Sequence, residues 1–249
     1  MGSLLFWNVV HQCSSYKIFE VIFQMKEWLK AESFEDVAKF YDPKYVKHGL
    51  GNFTANRDWI IALIEKFGGL IDESKNVLDA GCGHGEFIAQ LKGVPVCLGI
   101  DVSSEAIRLA TERNIENAMF IKMAIEEITS GLIRHFDVVT CLGALEHCGN
   151  VVGCFKVLFQ MVRGGGVLFI QMPLDYEGVM EGIEAEPNQK TNERFASIDE
   201  WIELFNPVAE IFGKLVHSEV VEHDAVLIYK KDSFYEGADK IDEILGEEK

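Results

Sequence analysis

The sequence is short of positive charge: 23 Lys and Arg stand against 40 Asp and Glu in 249 residues, a formal net charge of −17. A field of that sign repels phosphate backbones, so general nucleic-acid binding is disfavoured unless a local basic patch escapes the average. Cysteine is scarce too. Of the six, Cys13, Cys82, Cys97, Cys141, Cys148 and Cys154, no two are spaced C-x-x-C, and four fall in or beside apolar runs. They read as small buried hydrophobes of a reducing compartment, and the cytoplasm is the simplest expectation. No apolar window reaches the length of a membrane span. The opening "SLLFWNVV" lacks the basic flank of a signal peptide and is broken by Asn8, His11 and Gln12. Internal repeats and low-complexity tracts are also missing. What is present, 48% apolar and 25% charged residues, describes a globular chain able to bury one core.

From Asn76 onward, short apolar runs alternate with helical segments. "NVLDA" precedes a helix near Gly85–Leu91, and "PVCLGID" precedes one opening at Ser103. "AMFIKM" leads to a short helical "EEITSGL", "FDVVTCL" to a helix near Val151–Met161, and "GGGVLFIQMP" closes the run. Strand–helix repetition of this kind predicts a doubly wound α/β fold with a parallel sheet. Gly164, Gly165 and Gly166 are expected to end a helix and turn into the fifth strand. Residues Asp175–Asn192 read as a polar lid, within an insertion taken as 175–195. "SIDEWIELF" is a capped helix, "GKLVHSEVVEHDAVLIYKK" gives two final strands, and 232–249 form an acidic tail. The division expected is a helical cap over 1–70, a core over 71–231 and that tail. In the cap, Ile18, Val21, Ile22, Met25 and Leu29 recur at helical spacing. They predict a core-packing helix, with a homodimer seam as the alternative. Met25 is an alternative start.

The stretch "NVLDAGCGHGEF" carries the most chemistry. Gly81, Gly83 and Gly85 are spaced G-x-G-x-G, where a dinucleotide fingerprint has G-x-G-x-x-G. No Lys–Ser/Thr follows, which removes the P-loop reading. Asp79 and Glu86 would also repel a pyrophosphate at the helix N-terminus. A cationic cofactor suits them better. S-adenosylmethionine carries a sulfonium and an ammonium, which Asp79 can attract while the glycines admit its methionine portion. Asp101, ending the next strand before Val102, can accept both ribose hydroxyls. A tight turn in an unrelated α/β protein is the bland alternative. Cys82 and His84 invite a metal, but two ligands at i and i+2 cannot close a zinc site alone.

"VLDAGCGHGEF", "LGIDVS", "FDVVTCLGALEH" and "MVRGGGVLFIQMP" occur in the order that marks a known family, over about Asn56–Pro173. The chain resembles the Rossmann-like, class I S-adenosylmethionine-dependent methyltransferases, nearest to the ubiquinone-pathway O-methyltransferase group. The resemblance implies a seven-stranded, mostly parallel sheet whose last strand is antiparallel. It implies that backbone groups of Ala124 and Ile125 read the adenine, since no Asp stands there, and that Leu142 meets the methionine moiety. Arg57 in "NRDWI" matches an arginine that reaches the cofactor carboxylate; a solvated helix charge is the alternative. Several relatives carry E-x-x-E-H after the fourth strand and bind a divalent ion. Here Gly143 replaces the first Glu, and no metal is expected at Glu146 and His147, with completion of a site by Glu177, Glu181 or Glu184 of the lid as the alternative.

For the chemistry, His147 at the end of the fourth strand is the first base candidate, against a role in shaping the loop. Glu146 is a structural or orienting neighbour. His48 is the second candidate, with Tyr41, Tyr45 and Phe53 as an aromatic lid or as plain packing. The expected function is methyl transfer to O or N of a neutral or cationic small molecule. A protein or RNA methyltransferase and a non-catalytic cofactor-binding subunit are the rivals.

Overall fold

The computed structural model describes residues 37–39, 41–43, 45, 58–69, 71–73, 75–91, 93–128, 135–174 and 196–233. All belong to one unit, Glu32–Lys249. The helix expected over Ile18–Leu29, His48, Phe53, Arg57, the lid 175–195 and all but two residues of the tail 232–249 lie outside them.

Strand β1 (Asn76–Ala80) pairs in parallel with β2 (Val96–Asp101) on one side and β4 (Phe136–Leu142) on the other. β3 (Ala118–Lys122) continues the sheet beyond β2, and β5 (Val162–Pro173) beyond β4, both parallel. β7 (Asp224–Lys231) lies between β5 and β6 (Gly213–Val221), antiparallel to both. The order is β3-β2-β1-β4-β5-β7-β6. This is the expected seven-stranded sheet with an antiparallel last strand.

The run "FDVVTCL" shows why the strands are apolar throughout: all but Leu142 are buried, as a strand covered on both faces requires. Alternation divides neighbours between two layers. Val77 and Val138 meet Ile60 and Ile64 of α1 (Asp58–Gly68) and Phe87 and Ile88 of α2 (Glu86–Gln90). Leu78 and Val139 meet Phe155 of α4 and Trp201 and Phe205 of α5, helices spanning Val151–Met161 and Ile198–Phe212. The Phe155 and Phe205 rings stack at 4.5 Å, and each such buried ring contributes about 1.5–3 kcal/mol. The Trp201 indole N–H donates to Pro173 O at 3.1 Å, so α5 is tied to the end of β5. Helix α3 (Ser104–Glu112) packs on β2 and β3.

The three glycines do not end a helix. α4 stops at Met161 and β5 starts at Val162, so Gly164, Gly165 and Gly166 lie inside the strand. There the register with β4 jumps from Phe136↔Val162 to Val138↔Val167. Gly165 takes φ 79°, a conformation glycine adopts without penalty, and the extra residues bulge out. The expected helix over "EEITSGL" is, in its described part, one 3₁₀ turn, Ile125–Glu127.

Candidate functional site

β1 is followed by α2 on one face of the sheet and β4 by α4 on the other, so the connections part between these adjacent strands. Beyond the carboxyl ends of such strands an open sheet leaves a crevice for ligands. Two adjoining cavities of about 120 and 480 Å³ open there, sharing Tyr41, Tyr45, Gly81, Gly143 and His147 as walls. The smaller also has Asp101, Val102 and Ile125; the larger has Asp79, Gly83, Leu142 and Glu146.

The glycine loop is held by sheet hydrogen bonds at its start. Gly81 N–H and Cys82 N–H both donate to Ile100 O, at 2.8 and 2.9 Å. Gly81 has φ 75°, and a Cβ there would stand 2.2 Å from Ala144 Cβ, so only glycine lets the two loops meet. At Gly83 a Cβ would come within 2.9 Å of the Tyr45 hydroxyl. Gly85 precedes α2 and lines neither cavity.

Asp101 joins the loop to the second strand. Its Oδ2 accepts Gly83 N–H at 2.9 Å and its Oδ1 accepts Ser103 N–H at 2.8 Å. Burial raises its carboxyl above the ordinary value, only partly offset by these amides. Each oxygen retains a lone pair for a ligand hydroxyl. Asp79 is 2% exposed and its Oδ1 accepts the Thr140 hydroxyl at 2.7 Å, which orients it from β4.

Ala124 lines neither cavity, and its N–H is already given to Glu127 Oε2 at 2.8 Å. Ile125 does line the smaller one. His147 Nε2 is 3.0 Å from the Tyr41 hydroxyl and 3.7 Å from Glu146 Oε1, and Glu146 is buried. Both His147 and Glu146 thus reach the larger cavity. Cys82 and His84 also line it. Burial pushes the Cys82 thiol well above its ordinary value, so it is no thiolate nucleophile. His84 is engaged elsewhere, Nδ1 3.3 Å from Arg113 Nη2 and Nε2 3.5 Å from Glu86 Oε1. Among the described residues the group with converging metal-ligand atoms is Glu126, Cys148 and Cys154, within 4.8 Å of one another, not Glu146 and His147.

Asp42 is the residue that sequence reasoning missed. Its Oδ1 accepts the Ser103 hydroxyl at 2.5 Å and Glu105 N–H at 3.3 Å, and its Oδ2 accepts the Ser104 hydroxyl at 3.1 Å. Ser103 in turn caps α3 by accepting Ala106 N–H at 3.0 Å. The latch sets Tyr41 and Tyr45 over the crevice. Its partners lie about sixty positions away, and no local spacing marks such a pair.

A model of the methyltransferase domain matches residues 53–217. The ubiquinone biosynthesis O-methyltransferase of Pseudomonas fluorescens (strain SBW25) is 35% identical over 101 residues, 38% of this chain and 43% of that protein. The Aeromonas salmonicida (strain A449) enzyme of the same name is 35% identical over 119 residues, 45% and 47%. The match spans less than half the length of these relatives. Two solved structures share the fold. The [4+2]-cyclase SpnF has a TM-score of 0.65 at 15% identity, covering 81% of this chain and 97% of that one. Magnesium protoporphyrin IX methyltransferase from Synechocystis PCC 6803 with bound SAM has 0.59 at 13%, covering 81% and 98%.

Proposed function

We propose, from the premise that this chain belongs to the class I S-adenosylmethionine-dependent methyltransferases, that it transfers a methyl group to an oxygen or nitrogen of a neutral or cationic small molecule. The observation that carries the proposal is the pairing of Asp101 with the glycine loop. One carboxylate fixes Gly83 and Ser103 while facing a cavity, and a second, Asp79, stands on the loop's other side. The donor set fits the cofactor: carboxylates suit its hydroxyl, ammonium and sulfonium groups, and among the described residues no lysine or arginine lines either cavity. The glycine positions leave no room for a side chain between Ala144, Tyr45 and the loop. The cyclase that shares this fold is a reminder that the fold alone does not set the reaction.

S-adenosylmethionine supplies a methyl group on positive sulfur, which departs as a neutral thioether. The chain's own residues then have three tasks. Asp79 and Asp101 would hold the cofactor, one from each cavity, with Ile125 and Val102 beside Asp101 to receive its adenosine. Tyr41 and Tyr45 cover the crevice and exclude water, and holding the acceptor in line is worth about 7–11 kcal/mol of barrier. His147 takes the acceptor's proton at Nε2 once the acceptor has displaced the Tyr41 hydroxyl from that atom, and Glu146 is placed to favour the imidazolium. General-base help of this kind is worth on the order of 10²–10⁴-fold. Arg57 and His48, outside the described residues, remain proposed as the cofactor-carboxylate ligand and second base.

The test is calorimetric titration with S-adenosylhomocysteine, followed by a screen for isotopically labelled methyl transfer to phenols and amines. Saturable binding of one equivalent and labelled product are expected. Absence of binding would refute the reading, and tight binding with no product from any acceptor would favour a non-catalytic subunit.

A further inference from the structure

The larger cavity has one wall that the cofactor motifs do not use. Gln171 on β5 and Asp224 on β7 both line it. Because β7 is antiparallel, its first residue stands level with the carboxyl end of β5, where Pro173 pairs with Asp224. Gln171 Nε2 donates to Asp224 Oδ2 at 2.5 Å. The other carboxylate oxygen has no hydrogen-bond partner among the described residues, and neither has the Gln171 side-chain oxygen. The dyad therefore presents two acceptor atoms on rigid strands. Gln171 is fixed further through its backbone, whose carbonyl accepts Gly143 N–H at 3.1 Å beside His147.

Charge separates Asp224 from the other acids of the wall. Glu86 has Arg113 at 3.6 Å, Glu146 has His147, and Asp79 has the Thr140 hydroxyl on the cofactor side. Asp224 has a neutral amide, with Glu222 repelling it and His223 attracting it. Among the described residues no lysine or arginine lines the cavity. Burial raises its carboxyl above the ordinary value, and the Gln171 amide and His223 offset this only in part. Folding alone gives little reason to half-bury a carboxylate there, whereas a ligand cation would compensate it.

Resting on the methyltransferase reading above, we infer that Gln171 and Asp224 select the acceptor, binding a protonated amine or similar N–H-rich cation at the end of the molecule away from the methylated atom. This narrows the acceptor from neutral or cationic to cationic, and excludes carboxylate-bearing ones.

Protein saturated with S-adenosylhomocysteine should be titrated with benzylammonium, benzyl alcohol and benzoate, with binding followed by ligand-detected NMR. Saturation blocks the methionine subsite, so only the acceptor wall is read. Benzylammonium should bind at least about tenfold more tightly than benzoate, the size of one charge-assisted hydrogen bond. Asp224→Asn should reduce that preference to within about twofold, and Gln171→Met should weaken benzylammonium several-fold, both with unchanged S-adenosylhomocysteine affinity. Equal binding of benzoate, a preference that survives both substitutions, or no benzylammonium binding at about 10 mM would overturn the inference. Failure to bind S-adenosylhomocysteine is a separate result that refutes the methyltransferase reading instead.

Discussion

Asp101 and His147 do different work, and substitution should separate them. Asp101→Asn keeps the size but turns an NH2 toward one of the two backbone N–H groups and loses the charge-assisted bonds to ribose, so S-adenosylhomocysteine should bind about 10–100-fold more weakly by calorimetry. The carboxyl is raised, so it protonates above the ordinary Asp value of 3.8. Only the ionised form accepts two hydroxyls, hence cofactor affinity should fall as pH drops through that raised value and be full above it. His147→Gln should lower turnover by about 10²–10⁴-fold while leaving cofactor affinity within a factor of about two. Equal losses in binding and turnover would assign His147 to loop shape instead. At this scale the sequence announced residues at strand ends, because strand, glycine turn and acid are adjacent in the chain. It did not announce the Thr140–Asp79 bond or the Tyr41–His147 contact, which form only when β1 meets β4 and the cap segment meets the loop.

Elements were legible where burial imposes a period. β1 and β4 through β7, together with α4 and α5, follow from apolar runs and caps such as Ser197, whose hydroxyl accepts Glu200 N–H. What stayed hidden are joints between distant elements. Lys231, 2% exposed on β7, donates to the carbonyls of Phe159, Gln160 and Val162 at 3.1, 3.2 and 2.6 Å. It thereby closes the C-terminus of α4 with a cation, where the helix dipole favours one. Lys231→Met strips these carbonyls of their donor and should cost about 3 kcal/mol in urea unfolding. The Asp42 latch is the second such joint. Burial pushes its carboxyl up, but bonds from Ser103, Glu105 and Ser104 outweigh this and hold it below 3.8. A depressed acid stabilises the latch above its unfolded-state value, and that contribution vanishes as pH falls through the folded value. Acidification should therefore weaken cofactor binding before it releases residues 41–43. Titrations with S-adenosylhomocysteine, set beside hydrogen exchange of those amides, would show two steps; a single joint transition would contradict the order.

At the scale of the whole molecule, −17 charges repel one another. Screening them should raise the thermal midpoint between low salt and 0.3 M NaCl, roughly the range over which the Debye length shrinks below surface charge spacings. A midpoint independent of salt would mean that the acids are locally balanced. Among the described residues no helix is long and apolar enough to cross a membrane. The doubly wound plan was legible because strand and helix alternate along the chain and each crossover has one hand, whereas the antiparallel insertion of β7 between β5 and β6 came only through family resemblance. That plan leaves β3 and β6 at the two rims of the sheet. Met119 on β3 and Val220 on β6 are 63% and 51% exposed. Their outer backbone groups can template pairing with another chain, and the same negative field that strains the fold keeps such chains apart. Added salt thus acts on two rates at once: unfolding slows, while growth of strand-paired aggregates at the rims speeds up, so shelf life should peak at an intermediate ionic strength.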